Sequence, residues 1–418
     1  MTSGSESALS AVVRREWPAL IAASMRVLND FQAAEDVVQE TLLAALDRWP
    51  LSGVPDRPGA WLMTACQRRS LNALRDRQRE AERIKSLAAQ ARNSDEPTGH
   101  LAAAPCIVDD RLRLIAMCCH PVLSFDARVA LTLRMVAGLT TEQIAATFHE
   151  PPATTAQRLV RAKKTLRAHR VAFATDDVDL PVRLPAVLDV VALVFNEGYA
   201  AHTGASLTRP DLATESYRLG SLLTALAPGE AGPWALRALQ SFHLSRWDTR
   251  TDAAGNLLTL DQQDRNRWDR AMIDDGLASL HEARRLARQP TRLLIEAELA
   301  ACHAAAATFE DTDWQMIVDL YDQLMALDAT PVVELNRAIA VAMRDGPAAA
   351  LPTLDRLTGH PSLAKSHRVW AVRADLHRRL HDISSADEDY QRALQLVGND
   401  VERAYLRRAR ERLTTMKG

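Results

Sequence analysis

One short segment of this 418-residue chain concentrates positive charge. Between positions 158 and 170 it carries six basic side chains and no acidic one, although the whole chain has a net charge of only −2. The six residues are Arg158, Arg161, Lys163, Lys164, Arg167 and Arg170. Guanidinium and ammonium groups bind phosphate oxygens and release the counterions that surround a nucleic acid. The segment therefore predicts a nucleic-acid contact, with a solvated basic helix face as the alternative.

Two short helices joined by a tight turn would position these basic side chains. TTEQIAATFHE opens with threonines that can cap a helix and has Gln143 near the capping-box position, and PPATTAQRLVRAKKTLRAH follows it. Short polar side chains at the start of such a second helix can meet base edges in the major groove, and later basic ones can meet phosphates. We therefore predict a helix-turn-helix. Leu159, Ala162 and Leu166 are predicted to pack inward from the second helix. The side chains predicted to face outward are Thr154, Gln157, Arg158, Arg161 and Lys164.

Charge changes sign between two neighbouring helices near the start of the chain. AEDVVQETLLAALDRW repeats apolar residues at helical spacing, and positions 31–50 hold four acids against one arginine. AWLMTACQRRSLNALRDRQREAERI follows a loop rich in proline and glycine, and positions 61–92 hold eight basic residues against three acids. Opposite charge on adjacent helices predicts two surfaces for two different partners.

Composition narrows the class of protein. Aromatic residues make up 5% of the chain, while alanine, leucine and arginine are abundant, which favours helices. Five cysteines without framework spacing and a start that lacks the pattern of a signal peptide predict a cytoplasmic protein. No apolar run approaches the roughly 20 residues of a membrane span. Because no Gly-rich phosphate loop, nucleophile elbow or HExxH motif occurs, we expect no enzyme activity, no catalytic residue and no cofactor.

The sequence CCHP at positions 118–121 invites a metal interpretation, because thiolate and imidazole are zinc ligands. Adjacent cysteines point in different directions on a helix, however, and no second ligand cluster has a matching spacing. We therefore predict no metal site, and favour small buried thiols at a helix end that Pro121 stops. Redox sensing would need an exposed thiol of low pKa.

The chain beyond position 181 reads as helices to its end and contains a weak repeat. Several side chains fall near the large and small packing positions of a tetratricopeptide repeat (TPR), a helical hairpin of about 34 residues. In the last unit these are Trp370, Ala374, Ala386, Tyr390 and Ala393, and earlier units place Leu354 and Tyr321 at related positions. The spacing drifts between units, but three units in register predict a TPR-like domain.

Together these segments resemble an RNA polymerase sigma factor of the extracytoplasmic-function type. AAEDVVQETLLAAL is similar to the sigma segment that docks on the polymerase clamp helices. RPGAWLMTACQRRSLNALRDRQR resembles the segment that melts and reads the −10 promoter element. DARVALTLRMVAGLTTEQIAATFHEPPATTAQRLVRAKKTLR resembles the fourth sigma domain, which reads the −35 element. The three motifs occur in the expected order over roughly residues 10–170.

The remainder resembles a subgroup of these factors that has a long C-terminal TPR-like extension. The resemblance rests on DDRLRLIAMCCHPVLSFDARVALTLR, LVFNEGY and DQQDRNRWDRAMIDDGL. In that subgroup the extension is thought to regulate the sigma domains, which implies an intramolecular contact and no membrane partner. FNEGY is either a helix end with buried aromatic residues or a docking contact. DQQDRNRWDR is either a salt-bridged helix start or a docking surface.

We therefore predict an all-α fold with two small helical sigma domains, the second with a helix-turn-helix, and a C-terminal helical-repeat (TPR-like) domain. The predicted divisions are sigma domain 2 at residues 8–84, a flexible linker at 85–108, sigma domain 4 at 109–172 and the regulatory domain at 181–418. A stand-alone helix-turn-helix regulator with a TPR sensor domain is the alternative, and it would not require polymerase.

The resemblance also implies roles for individual residues. The resemblance implies that the chain binds the clamp helices and the flap of core RNA polymerase. The residues implied to contact the clamp helices are Glu35, Asp36, Gln39 and Glu40. The residues implied to contact the −10 element of promoter DNA are Trp61, Arg68, Arg69, Asn72, Arg75 and Arg77. The loop at 49–58 would lie beside them and trap a flipped base. Contact with the −35 element falls to Thr154, Thr155, Gln157, Arg158, Arg161 and Lys164. The chain has Gln67, Arg68, Asn72 and Ala156 where many relatives have other residues.

Overall fold

The structure is a computed structural model that describes residues 3–89, 110–148, 150–169, 171, 173, 180–200, 206–363 and 366–415. These residues form 18 α-helices and contain no β-strand, so the prediction of an all-α fold is confirmed. None of the described helices has both the length and the apolar character needed to cross a membrane. The chain divides into two compact units, Met1–Val190 and Val191–Gly418.

Among the described residues of the first unit eight helices begin, and the eighth continues past the division. They are α1 (Ser3–Leu28), α2 (Phe31–Ser52), α3 (Pro58–Ala89), α4 (Asp110–Cys118), α5 (Phe125–Met135), α6 (Thr141–Thr147), α7 (Pro152–Ala168) and α8 (Leu180–Tyr199).

Helix α2 begins at a side-chain cap. Asn29 has a left-handed backbone conformation with φ of 47°, which ends α1, and Asp30 then accepts a hydrogen bond from the backbone N–H of Ala33 at 3.0 Å. The buried face of α2 includes Val38 and Ala45, which are fully enclosed. The apolar spacing in the sequence therefore places this helix against the core, with Asp30 at its N-terminus.

Helix α3 packs against α1 through small polar side chains as well as apolar ones. The thiol of Cys66 lies 3.0 Å from the Ser24 hydroxyl, and Ser70 donates to Ser24 at 3.2 Å. The helix continues to Ala89, so it runs past Lys85, where the predicted linker begins. The rest of that predicted linker, residues 90–108, lies outside the described residues.

Helices α6 and α7 form the predicted pair. Thr140 and Gln143 make a reciprocal capping box, because each backbone N–H donates to the other's side-chain oxygen, at 3.0 and 3.3 Å. The prediction for the packing face of α7 is confirmed, since Leu159, Ala162 and Leu166 are buried. These contacts fix which side of α7 remains open to solvent.

In the described part of the second unit, ten helices begin. They are α9 (Pro210–Leu226), α10 (Ala231–Ser245), α11 (Arg270–Leu286), α12 (Arg292–Ala305), α13 (Trp314–Leu327), α14 (Pro331–Asp345), α15 (Pro347–Thr358), α16 (His367–Arg379), α17 (Ile383–Leu396) and α18 (Asp400–Thr415).

Successive helices of the second unit pack in pairs. Ala374 on α16 shares a core with Ala386, Tyr390 and Ala393 on α17, which are the small and large positions read from the sequence. Gly346, with φ of 96°, makes the sharp turn between α14 and α15. The assignment of these pairs to the tetratricopeptide class stays a prediction.

FNEGY lies in the second unit's core, whereas DQQDRNRWDR is mostly exposed and has three buried residues, Gln263, Arg265 and Trp268. Phe195 and Tyr199 are buried at the end of α8, as the packing interpretation of FNEGY predicted. A Cβ on Gly198 would lie 2.4 Å from the backbone nitrogen of Ala213, so glycine allows α8 and α9 to approach closely. In DQQDRNRWDR, Asp269 caps α11, and the buried Arg265 donates to the carbonyl oxygens of His303 and Ala306.

Candidate functional site

The outer face of α2 is both acidic and apolar. Asp36, Gln39 and Glu40 are exposed, as predicted for a docking surface. Leu43 and Leu46 follow them at helical spacing and are 59% and 47% exposed. Exposed leucines beside carboxylates form a surface that suits a protein partner with basic and apolar groups. We call these five residues the α2 outer face.

Glu35 does not belong to that face, contrary to the prediction that groups it with Asp36. It is 3% exposed, because it precedes the buried Val38 by one helical turn and so points inward. Its carboxylate accepts a hydrogen bond from Nε of Arg134 at 2.8 Å and forms an ion pair with Lys163. The acidic segment of α2 thus has one inward and three outward polar positions.

The exposed face of α7 carries four of the six residues predicted to meet the −35 element. Thr154, Gln157, Arg161 and Lys164 are all exposed, and their spacing of three, four and three residues puts them on one side of the helix. Two hydrogen-bonding side chains lie nearer the N-terminus of α7 and two cations further along. We call these four residues the α7 outer face.

Thr155 and Arg158 are held away from that face by Glu150, which the sequence analysis missed. Thr155 is fully buried, and its hydroxyl donates to Glu150 at 2.5 Å. Arg158 donates twice to the same carboxylate, at 2.5 and 2.7 Å, and its guanidinium lies 4.6 Å from the ring centre of Phe148. Burial would raise the pKa of Glu150, but these hydrogen bonds outweigh it and lower that pKa. Because Thr155 lies on the packing side of α7 with Leu159, it does not belong to the face that the predicted base contact requires.

Four of the six residues predicted to meet the −10 element line one hollow of about 500 Å³ between α2 and α3. They are Trp61, Arg68, Arg69 and Asn72. The indole of Trp61 packs edge-on against buried Trp49, with ring centres 5.5 Å apart. A half-buried aromatic side chain beside three polar ones forms a site that can stack and hydrogen-bond a planar group. We call it the α2–α3 hollow.

The other two predicted −10 residues lie further along α3. Arg75 donates to the side-chain oxygen of Asn72 at 3.5 Å, and Arg77 lies 4.0 Å from Asp30. The predicted loop at 49–58 is shorter than expected, because α2 continues to Ser52 and ends at Gly53, whose φ is 81°. Pro50 is therefore a helical residue.

The cysteines at the end of α4 are interior groups. Cys118 and Cys119 are both buried, which agrees with the interpretation of CCHP as small packed thiols. Burial raises the pKa of Cys119 to about 12 and that of Cys118 well above its usual value. Within the described ranges, no group of three or more His, Cys, Asp or Glu side chains could hold a metal ion.

Sequence reasoning did not identify the ion pairs that residues at the start of α2 make with basic side chains of α5 and α7. Asp30 pairs with Arg167, and Glu35 pairs with Arg134 and Lys163. The opposite net charges of positions 31–50 and 158–170 were the available signal. Charge alone did not reveal the pairing, because the partners are about 100 or more positions apart in the chain.

Family models match three parts of the chain. A model described as Sigma-70 region 2 matches residues 12–80, and one described as Sigma-70, region 4 matches residues 113–166. A family of unknown function, DUF6596, matches residues 183–290. The two sigma ranges lie inside the ranges predicted for sigma domains 2 and 4, whose boundaries stay a prediction.

Curated relatives extend these matches. An uncharacterised protein of Rhizobium meliloti (strain 1021) is 37% identical over 396 residues, which cover 93% of this chain and 92% of that protein. A probable ECF RNA polymerase sigma factor, SigI, of Mycobacterium tuberculosis (strain CDC 1551 / Oshkosh) is 27% identical over 224 residues, or 54% of this chain and 69% of that protein. No solved structure matches the chain.

Proposed function

Because the chain belongs to one family with the Rhizobium meliloti protein and carries both sigma-70 regions of an extracytoplasmic-function sigma factor, we propose that it directs core RNA polymerase to specific promoters. The observation that carries the proposal is that each matched region presents an exposed face suited to one partner. The α2 outer face is acidic and apolar, whereas the α7 outer face is polar and basic. A single chain with both faces can join polymerase to DNA.

The α2 outer face is the proposed polymerase contact. Its carboxylates, Asp36 and Glu40, would attract the basic clamp helices, and Leu43 and Leu46 would lose their exposed apolar surface on docking. Removal of apolar surface from water supplies affinity, while charge complementarity sets orientation and the rate of encounter. Glu35 is not assigned this role, because it is buried.

The α7 outer face is the proposed −35 contact. Helix α7 has 17 residues and is about 25 Å long, and the diameter of an α-helix, about 10–12 Å, matches the roughly 12 Å width of the major groove. Thr154 and Gln157, near its N-terminus, would meet base edges, while Arg161 and Lys164 would neutralise phosphates. The hydrogen-bonding pair would then give sequence preference and the cationic pair most of the affinity.

The α2–α3 hollow is the proposed −10 contact. Trp61 offers a ring on which an unpaired base can stack, and Arg68, Arg69 and Asn72 offer donors to its edge or to phosphate. Capture of an extruded base offsets the cost of unstacking it, so this site would favour the melted promoter. The proposed mechanism is positioning, with no covalent step.

We assign a regulatory role to the second unit, which carries the DUF6596 match and the paired helices. Stacked helical pairs create extended surfaces that bind proteins. The relevant comparison is between the full chain and a chain that ends near residue 175, each assayed with core polymerase. Unchanged transcription would argue against regulation by this unit.

Reconstituted transcription tests the proposed function. Purified full-length chain is added to core polymerase with a library of promoter templates, and the transcripts are sequenced to find common −10 and −35 elements. We expect initiation that depends on the chain and on those elements. DNA binding that is equally tight without core polymerase, together with no initiation on any template, would favour the stand-alone regulator instead.

A further inference from the structure

Three arginines of the second unit lie near one another without an acidic partner. Arg246 and Arg250 follow the end of α10, and Arg265 precedes α11. Arg250 and Arg265 are 8% and 5% exposed, and Arg246 is half-buried. Burial and, in addition, the positive charge of Arg246 lower the pKa of both other guanidiniums. Among the described residues, no carboxylate forms an ion pair with any of the three. We call these three residues the arginine cluster.

Backbone oxygens and an aromatic ring hold two of these guanidiniums in place. Arg250 donates to the backbone oxygen of Tyr199, and its Cζ lies 3.8 Å from the centre of the tyrosine ring. Arg265 donates to the carbonyl oxygens of His303 and Ala306, at 2.8 and 2.9 Å. These contacts fix the positions of the two guanidiniums but do not neutralise them. Because a buried charge without a counter-charge is costly, a bound anion would stabilise this part of the fold.

Buried hydrogen-bond donors without an acceptor lie beside the arginine cluster. The hydroxyl of Tyr199, the Nε–H of Arg265 and the indole N–H of Trp268 are buried and have no hydrogen-bond partner in the described structure. The Trp268 ring centre lies 5.0 Å from Cζ of Arg265, and the Tyr199 ring centre lies 5.6 Å from Cζ of Arg246. Buried donors in folded proteins nearly always have an acceptor. The missing group is therefore rich in acceptor atoms as well as negatively charged.

Two histidines beside the cluster add no positive charge. Nη2 of Arg246 lies 3.4 Å from Nδ1 of His243, whose ring centre is 4.8 Å from that of Tyr199. Burial and then the neighbouring arginines lower the pKa of His243 well below its usual value and that of His303 to about 4. Both imidazoles are therefore neutral at pH 7, and a neutral imidazole can still donate one N–H to an anion.

We propose that the arginine cluster binds a single phosphoryl group, either inorganic phosphate or the phosphate of a small metabolite. A phosphoryl group brings up to two negative charges and several acceptor oxygens, which match the planar donor geometry of guanidinium. One carboxylate would bring a single negative charge against three positive ones. Ordered water would satisfy the buried donors but would leave the arginines without a counter-charge.

The exposure of the site favours a small ligand. Arg250 and Tyr199 are enclosed, so a DNA duplex or a flat protein surface does not reach them. Arg246, His243 and Trp247 are only half-buried, which makes them the side from which a small anion enters. The site lies outside both sigma-70 regions, and the inference goes beyond the proposed function because it gives the second unit a ligand of its own.

Calorimetric titration of the full chain with inorganic phosphate, at constant ionic strength in a phosphate-free buffer, tests the site. We expect one saturable site per chain in the wild type and a Tm that rises with phosphate concentration. Arg246→Gln should weaken binding about 10- to 100-fold, because a hydrogen bond between charged groups is lost. Glycerol phosphate and adenosine monophosphate separate the two sources. Tighter binding of either ester assigns the site to a phosphorylated metabolite, and otherwise it belongs to inorganic phosphate.

Stability without phosphate separates a ligand site from a structural role. Arg246→Gln should leave the Tm unchanged or raise it, because the change removes repulsion between arginines and leaves no carboxylate unpaired. Tyr199→Phe removes a hydroxyl that has no partner, so it should keep the Tm while it weakens phosphate binding roughly three- to tenfold. The matched control is Arg267→Gln, which removes an exposed arginine two positions after Arg265 and should bind phosphate as the wild type does.

Several results would overturn the proposal. These are a wild type without saturable phosphate binding, equal weakening by Arg246→Gln and Arg267→Gln, and a Tm that falls in Arg246→Gln without phosphate. Tighter binding of succinate than of any phosphate compound would overturn the assignment to a phosphoryl group. Because none of these measurements involves polymerase, they decide the site even if the chain fails to initiate transcription.

Discussion

The carboxylate of Glu35 accepts a hydrogen bond from Nε of Arg134 at 2.8 Å, across 99 positions of sequence. Arg134 also donates to the carbonyl oxygen of Leu139 at 2.9 Å, so one guanidinium serves both regions. Removal of one partner from a buried charged pair leaves the other uncompensated, which is more costly than loss of the attraction alone. The interface between the two sigma-70 regions therefore depends on this arginine.

Arg134→Ala should lower the local stability of that interface by about 2 kcal/mol, because Glu35 would keep Lys163 as its one remaining basic partner and the Leu139 carbonyl would lose a donor. Hydrogen exchange of the backbone amides in α2 and α5 of the full chain measures this local opening. Arg128→Ala is the control on the same helix, where the guanidinium donates to the carbonyls of Leu123 and Pro121. Equal acceleration of α2 exchange by both variants would show that Arg134 has no special role.

The α7 outer face makes a prediction about the salt dependence of promoter binding by the holoenzyme. Arg161→Ala should reduce the slope of log K against log salt concentration by about one, since one phosphate contact is lost. Arg158→Ala should change the slope less, because Glu150 already neutralises that guanidinium. Arg285→Ala, an exposed arginine of α11, serves as the control for charge removal. Identical slopes for the Arg158 and Arg161 variants would contradict the distinction drawn between them.

Trp61 makes a prediction about promoter melting. Trp61→Ala should lower the fraction of melted promoter about tenfold, because stacking of one base on an aromatic ring contributes roughly 1–3 kcal/mol. Trp61→Phe keeps a ring and should retain most of the melting. Permanganate reactivity of unpaired thymines around the −10 element gives the melted fraction. Trp49→Phe controls for altered packing beneath the hollow, and normal melting by Trp61→Ala would exclude Trp61 as the stacking residue.

Helical periodicity predicted the helices and the packing side of α7, but not every direction of a polar side chain. Leu159, Ala162 and Leu166 were correctly placed inside α7. Thr155 precedes Leu159 by four residues and therefore lies on the same buried side of α7. It was nevertheless predicted to contact DNA, because threonine is polar. Glu35 is the same case on α2, three residues before Val38. A polar residue in phase with an apolar stripe is a candidate for a buried hydrogen bond.

The partners of such residues were beyond sequence reasoning. Glu150 and Arg158 are eight positions apart and pair across the turn before α7. Glu35 and Lys163 are 128 positions apart, so their contact follows from packing of whole helices and not from any local pattern. The exposed positions on α2, α3 and α7 needed no such information, because a helix face can be read from spacing alone.

Cys119 makes a prediction about alkaline pH. Burial raises the pKa of its thiol to about 12, while a thiol in the unfolded chain titrates near 8.5. The folded form therefore keeps a proton that the unfolded form loses, so the stability from the neutral thiol is complete below pH of about 8.5 and is lost as the pH rises toward 12.

In a variant that retains only Cys119, with its other cysteines changed to alanine, the equilibrium constant for opening should rise about tenfold per pH unit between roughly pH 9 and 11. The rate of reaction with a disulfide reagent, divided by the rate in the denatured variant, measures that constant. A variant that retains only half-buried Cys302 corrects for other groups that titrate in this range, and an equal pH slope in the two variants would show that burial of Cys119 is not the cause.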